Sequence, residues 1–506
     1  MIEGGHQYQW LTAYNRQRME GHRLDWPGQP SFFKEYTPCT SYSLPLPEML
    51  PEGSLFTLLK KVTSSDPAPA KSSTPFVWNR HFLATLLLLT SAPTARSTFA
   101  EGEVWYRSNA SAGALHPLEF YLSFPGSVDL PAGIYHYDLL KPGLNRMRHD
   151  PALEDFAGAC GFNHEEEGSA PTLLISGIFF RSAWKYRNRA YRYLLLDAGH
   201  ALENLSLALT AMEVDFAVHL DFDDVLINQA LGFDDQREVG LAAVRLIYAP
   251  LSAEKSILLA KDDQEPELAS SSQVSAREID YPWLNEMHQA SSVALLQKRD
   301  AQEVTPEFYA EISAWQEISE VLPPALSLNY AESLRRRRSQ RNFIEKEIEL
   351  ESLHLLLGTM VQGAGDLYLS GLEIAFLASG VCGLVDGLYL FDRVAGRFAL
   401  FVDRDLRSAV AAAALDQGWL KQAALQFLFY ADLEAAQEGS GSRSYRYLQI
   451  GAGRLGQRLY LGATALGLGC CAVGAFYDRE LAQVYRLPEN FDPLYLVAVG
   501  PVAGPK

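Results

Sequence analysis

Apolar residues recur at helical spacing over 191–212 and again over 445–467, and each stretch is long enough to be the central helix of a domain. Two further helix-like apolar blocks precede them, Leu83–Thr90 and Leu350–Thr359. Runs with strand character that enter turns lie at Leu118–Leu122, Gly133–Asp138, Gly387–Asp392 and Tyr495–Val499. Few strands and several helices, without regular strand–helix alternation, point to an α+β fold rather than a doubly wound sheet.

The pattern repeats. Tyr191-Arg192-Tyr193-Leu194 recurs as Tyr445-Arg446-Tyr447-Leu448, 254 positions on. Gly133–Asp138 matches Gly387–Asp392, and Glu119 matches Glu373, at the same shift of 254. Three separated blocks in one register read as two copies of one domain fused head to tail. The polar stretch from Ala260 to Ile279, rich in Asp, Glu and Ser, reads as the linker between them. The expected plan is an extended arm over 1–75, a first domain over 76–259, a linker and connecting helix over 260–325, and a second domain over 326–506.

Charge narrows the function. The chain carries a net charge of −18, which disfavours a broad surface for nucleic acid or anionic lipid. An anionic ligand must then be held by a local cluster of Arg or Lys. Five unpatterned cysteines make a disulfide framework improbable, and without a Cys-x-x-Cys a zinc ribbon is out. The N-terminus lacks the basic and then apolar regions of a signal peptide. No apolar run approaches the ~20 residues that span a bilayer. The expectation is a reduced, cytoplasmic protein with no metal and no membrane partner.

The strongest charge feature is Arg335–Arg338 followed by Ser339, Gln340 and Arg341. Guanidinium groups bind phosphate through paired, charge-assisted hydrogen bonds, and a hydroxyl with nearby N–H groups completes such a cradle. A solvated basic turn is the ordinary alternative. Ser111, Ala112 and Gly113 sit in a small-residue loop before a strand, and Val473, Gly474 and Ala475 form another after the second long helix. Small side chains let backbone approach a flat ligand closely. Gly451, Gly453 and Gly456 fit a dinucleotide pattern, but they fall inside a helical repeat rather than after a strand, and ease helix packing instead. His164-Glu165-Glu166-Glu167 reads as a solvated polar loop, not a metal site.

Taken together these segments resemble the nitroreductase superfamily. Arg337-Arg338-Ser339-Gln340-Arg341-Asn342-Phe343 is similar to its RRSxRxF signature, and the resemblance implies that Arg337, Arg338, Ser339 and Arg341 contact the phosphate and ribityl chain of FMN. Ser111–Glu119 resembles the PSAGxLxPLE segment of the SagB/ThcOx-type dehydrogenase branch, with Ala110 where that branch usually has Pro. Leu468–Phe476 is similar to its GLGxxxxGAF segment near the flavin ring, and His22–Tyr36 to its N-terminal arm. A Lys-Tyr pair at the place of Lys185 and Tyr186 is implicated in catalysis in azoline-oxidising members. A lysine with lowered pKa, or a phenol, can move a proton while a flavin takes a hydride. The ordinary alternative is a basic loop touching acidic surface.

The resemblance implies two nitroreductase-like α+β domains forming an intramolecular pseudo-dimer, with FMN sites at the interface. The first copy keeps Ser111-Ala112-Gly113 but has no RRSxR. The second keeps RRSxR but reads Asp366–Glu373 where the loop belongs, so one intact composite site is expected. Lys185 and Tyr186 align with Gly439 and Ser440, in a stretch that reads as a flexible loop. The implied activity is an FMN-dependent oxidation of a heterocycle or C–N bond in a peptide-like substrate. An NAD(P)H-dependent nitro or quinone reductase, or a non-catalytic flavin-binding scaffold, are the alternatives.

Overall fold

The computed structural model describes the chain except residues 20, 22, 64–77, 100–101, 149–151, 161–169, 248–267, 294–308, 310–311, 313, 363–366 and 505–506. The His164–Glu167 loop, and the linker up to residue 267, lie outside the described residues. The chain divides into two compact units. One comprises Met1, 23–51 and 68–298; the other comprises 2–22, 52–67 and 299–506.

We label strands β1–β16 in chain order. The first unit holds β1 (Ser41–Ser43), β4 (Leu118–Phe124), β5 (Gly133–Asp138), β6 (Gly143–Arg148), β7 (Thr172–Ile178), β8 (Asp215–His219) and β9 (Glu238–Ile247), plus a hairpin of β2 (Pro93–Phe99) and β3 (Gly102–Arg107). Its sheet runs β1-β6-β5-β4-β7-β9-β8. The second unit holds β10 (Gln316–Glu317), β11 (Glu373–Ala378), β12 (Gly387–Asp392), β13 (Arg397–Val402), β14 (Leu425–Asp432), β15 (Gly469–Val473) and β16 (Phe491–Gly500). Its sheet runs β10-β13-β12-β11-β14-β16-β15, the same order with six strands replaced by their repeats at the 254 shift and edge strand β10 in the place of β1. All neighbours in both sheets are antiparallel. The α+β tandem organisation read from the repeat is therefore what the chain adopts. The expectation of few strands is corrected, since each sheet has seven. The missed ones are short edge strands or uniformly buried runs such as β7, which lack the alternation that marks a half-buried strand.

The central helices are Ala190–Ala211 and Ser444–Ala465, of 22 residues each, in register at the 254 shift. Every residue from Ala190 to Leu209 is buried, including Arg192, Asp197, His200 and Glu203. A helix buried on all sides has no wet face to shed polar groups onto, so each buried charge on it needs a built partner. The first helix packs on helix Arg80–Ser91, on helix Phe179–Tyr186 and on β7 and β9 of its own unit; the second packs on β15, β16 and helices Leu55–Thr63, Tyr330–Arg336 and Leu433–Ser440. Gly451, Gly453 and Gly456 lie inside the second helix, where a side chain at Gly451 would meet Leu369 at 2.8 Å and the Tyr368 carbonyl at 3.1 Å. That is a packing contact, not a phosphate-binding turn.

Segment 1–75 is not uniformly extended. Gly5–Leu11 and Leu55–Thr63 are helices within the second unit, whereas 23–51 packs in the first and contributes β1. From Leu268 onward the stretch read as linker is packed in the first unit, where buried Ser272 donates through Oγ to Glu238 at 2.8 Å. Helix Pro282–Ala290 follows in the same unit.

Candidate functional site

The chemistry-bearing residues fall into two groups, one in each unit. In the second unit helix Tyr330–Arg336 is capped by Asn329, whose side chain accepts from the Glu332 amide. The chain leaves it at Arg337 with extended geometry (φ −53°, ψ 123°). Ser339 forms a parallel bridge to Cys470, with the Gln340 amide donating to the Cys470 carbonyl at 2.9 Å. The arginine motif thus lies along β15, which leads directly into Val473-Gly474-Ala475. Phe343 is buried and stacks on Trp419 with centroids 5.9 Å apart, anchoring the motif in the core.

Within that group Arg337 is buried, with its guanidinium 5.3 Å from the centroid of the Tyr460 ring. Burial lowers its pKa from the ordinary arginine value. Arg338 donates to the carbonyls of Arg335 and Arg337 at 3.1 and 2.6 Å. Arg335 and Arg341 are exposed, and neither makes an ion pair among the described residues. Arg341 lies over Trp419 at 6.0 Å. Exposed Arg335 and Arg341, without a carboxylate partner among the described residues in a chain of net charge −18, fit a phosphate-bearing ligand. Tyr460, on the central helix, fastens the cradle: its hydroxyl meets Ser339 Oγ at 2.8 Å and accepts from the Ala472 amide at 2.8 Å. Burial pushes this phenol well above its ordinary pKa, so it stays protonated.

In the first unit β3 runs into the loop Ser108–Pro117. Gly113 (φ 63°), Ala114 (φ 54°) and His116 (φ 47°) all adopt left-handed backbone. A side chain at Gly113 would stand 2.8 Å from Tyr186 Oη and 3.1 Å from Lys185 Nζ. The loop and the Lys-Tyr pair therefore meet, with Gly113 making the room. Lys185 Nζ lies 5.4 Å from the Tyr186 ring centroid, and Tyr186 packs on Tyr193 at 4.3 Å.

Helix Phe179–Tyr186 is pinned from several sides. Arg181 donates to the Ser31 carbonyl at 2.8 Å, to the His116 carbonyl at 3.3 Å and to Glu119 at 2.5 Å. Glu119 also meets His136 Nε2 at 2.9 Å. Burial would push the Glu119 carboxyl up, but Arg181 and His136 outweigh it and hold it down at about 2. Trp184 donates to the Asp25 carbonyl at 2.8 Å and packs on Trp26, fixing the arm segment that the sequence singled out. Asp197 receives two bonds from the loop, from Ser111 Oγ at 2.5 Å and from the Ala112 amide at 3.0 Å.

The structure thus brings Ser111, Ala112, Gly113, Lys185 and Tyr186 together in one unit. In the other it sets Arg337, Arg338, Ser339 and Arg341 beside the start of β15, whose last residue is Val473 and which continues into Gly474 and Ala475. Sequence reasoning missed Asp197, Arg181 and Tyr460. A signal existed at each: the repeat places Gly451, Ala435 and Ser206 at their counterparts. One expectation is corrected. Gly439 and Ser440 are not in a loop but end helix Leu433–Ser440, capped by Asp432 and stopped by Gly441 at φ 64°. A terminal helical turn tolerates Gly and Ser when capping and packing hold the rest.

The sequence profile of the nitroreductase family matches residues 92–246 and 386–501, more than half of the chain. The chain belongs to the nitroreductase family. Both matched stretches carry nitroreductase strands and a central helix, and the family is one of oxidoreductases. The "Putative nitroreductase MJ1384" of Methanocaldococcus jannaschii is 30% identical over 190 residues, 35% of this chain and 94% of that one. The trifolitoxin-processing protein of Rhizobium leguminosarum bv. trifolii is 27% identical over 32% of this chain and 45% of its own, so this nitroreductase-family chain spans less than half of that relative. A solved structure named as a "putative nitroreductase" from Anabaena variabilis matches 98% of this chain and 99% of its own, with a TM-score of 0.78 at 23% identity, a likeness of fold alone. Among the described residues no helix is long and apolar enough to cross a membrane.

Proposed function

We propose that this nitroreductase-family chain is an FMN-dependent oxidoreductase that oxidises a heterocycle or C–N bond in a peptide-like substrate, as SagB/ThcOx-type dehydrogenases do. The observation that carries this reading is the meeting of Lys185 and Tyr186 with the Gly113 loop, in the repeat that alone retains both elements. The similarity to a relative named for processing trifolitoxin supports the substrate class.

Arg337, Arg338, Ser339 and Arg341 would hold the FMN phosphate and ribityl chain. The backbone of Val473–Ala475, in the same unit as the arginine motif, would face the ring. When bound, FMN supplies the two-electron acceptor for a hydride. Oxidation also releases a proton, which Lys185 Nζ as the neutral amine or Tyr186 Oη as the phenolate would accept. The RRSxR motif occurs once in the chain, so one FMN per chain is expected.

A second reading has its own support. The 30% identity to a protein named as a nitroreductase, over nearly all of that protein, favours an NAD(P)H-dependent reduction of nitro compounds or quinones. Flavin released by denaturing the purified chain should approach one equivalent; a colourless protein that refuses FMN removes both readings. Bleaching of bound flavin by NAD(P)H selects the reductase, and bleaching by a heterocycle-bearing peptide selects the dehydrogenase.

A further inference from the structure

We infer that Asp197 is a positioning residue: its carboxylate holds the Ser111–Ala114 loop in the conformation that keeps Gly113 against Lys185 and Tyr186. The inference rests on the reading of that loop and pair as the reacting end of the site.

Three independent observations carry it. The first is the geometry. Asp197 is 3% exposed and spends one oxygen on the Ser111 hydroxyl and the other on the Ala112 amide. Ser111 Oγ in turn accepts from the His116 amide at 2.9 Å, so one carboxylate spans the start of the loop and, through the serine, its exit. Burial pushes the Asp197 carboxyl up to about 7, against the bonds from Ser111 and Ala112 that pull it back; above that pH it only accepts, which suits two donors aimed at it, whereas an amide side chain would turn an N–H toward one of them.

The second is strain. Three residues between 113 and 116 hold left-handed backbone, two of them not glycine. Such a loop persists only where its surroundings over-determine it. The Asp197 bonds fall at Ser111 and Ala112, immediately before the first left-handed residue.

The third is the internal repeat. The two central helices align residue for residue, and the counterpart of Asp197 is Gly451. A side chain at Gly451 would meet Leu369 and the Tyr368 carbonyl, and the repeat that carries it also lacks the Ser-Ala-Gly loop and has Gly439 and Ser440 in place of the Lys-Tyr pair. The carboxylate is therefore present where the loop and pair are present and absent where they are absent. A carboxylate needed only to fold the helix would be expected in both copies, because both helices are buried alike and support the same sheet order.

The test uses the full chain with Asp197→Asn, a near-isostere, and Asp197→Gly, the residue of the other repeat. At pH 8, where Asp197 is ionised, amide hydrogen exchange read by mass spectrometry should accelerate ~10–100-fold in peptides covering 109–117, the scale of losing charge-assisted bonds. Peptides of β7 and β9 should stay protected. The acylation rate of Lys185 by an amine-reactive reagent should rise severalfold, with that of exposed Lys421 unchanged; a role confined to the fold would not move Lys185 alone. Unchanged exchange over 109–117 in both variants overturns the inference, as does acceleration spread evenly through the unit. If Asp197→Gly fails to fold, Asp197→Asn decides. Neither readout needs flavin. Failure of the wild-type chain to bind FMN would sink the proposed function while leaving these measurements to stand, and unchanged exchange in a chain that does bind FMN would sink only the role of Asp197.

Discussion

Gly113 and Tyr186 share one small space: a methyl group on the glycine would lie 2.8 Å from the tyrosine hydroxyl. Seventy-odd residues of sheet and helix separate them in sequence, yet the absence of a side chain at one fixes where the other's hydroxyl rests.

Gly113→Ala should therefore damage the pair without touching the arginine segment 337–341. The φ of 63° costs a non-glycine residue ~1 kcal/mol or more, and the added methyl displaces Tyr186 Oη and Lys185 Nζ. Turnover is expected to fall at least tenfold while flavin content is kept. Turnover equal to wild type would mean that the contact is incidental.

Lys185→Ala and Tyr186→Phe should lose ~10²–10⁴-fold in rate, the usual contribution of a positioned acid or base, and stay yellow. Steady-state turnover together with the flavin absorption of the same preparations is the check. Variants that keep full activity would assign the pair to packing on Tyr193.

Arg338→Ala and Arg341→Ala should strip flavin with the fold intact. Each charge-assisted bond to a phosphate contributes ~1.5–3 kcal/mol, about one to two decades in affinity. Tyr460→Phe removes one hydroxyl that serves both Ser339 and the Ala472 amide, and should weaken FMN binding by roughly a decade. Lys421→Ala, exposed and outside every motif, is the control. Fluorescence titration with FMN measures all four, and undiminished affinity in the arginine variants would remove the phosphate assignment.

Glu119 and Glu373 occupy the same place in the two repeats and titrate in opposite directions. Burial pushes both carboxyls up. Arg181 and His136 reverse this at Glu119, down to about 2. Glu373 has Ala435 and Leu390 at those counterpart places and is pushed up to about 7 by burial, against a hydrogen bond from Tyr309 at 2.9 Å. A depressed carboxyl adds stability above its unfolded pKa of about 4.3, and that stability is lost as pH falls toward 2. A raised one does the reverse. Between about 4.3 and 7 the unfolded chain ionises first and stability is shed as pH rises. Glu373→Gln should raise the unfolding free energy from urea titration near pH 8 by on the order of 3 kcal/mol, and leave it unchanged near pH 4. Glu119→Gln should lower it at neutral pH. The same sign for both variants at neutral pH would contradict the environments described.

The sequence by itself determined the duplication, the two central helices and the arginine motif, because each is written in contiguous residues. Helical periodicity over 191–212 needs no distant partner to be read, and a repeat at a constant shift is a property of the string. The asymmetry of the copies was legible the same way, since Lys185 faces Gly439 in any alignment at that shift. What only the tertiary structure decided is which residues serve others across the fold. Asp197 reads as one polar position in a buried helix until the loop 86 residues earlier is seen donating to both its oxygens. Tyr460 reads as one more aromatic in an apolar stretch until Ser339 and Ala472 converge on its hydroxyl. Arg181 gains its meaning from Glu119, His116 and Ser31, which no local pattern ties to it. Hydrogen bonds of this kind have no period and no fixed spacing. They are set by which backbone and side-chain groups folding strands from water, and a buried donor or acceptor must then be met by whatever residue the sheet order has carried beside it.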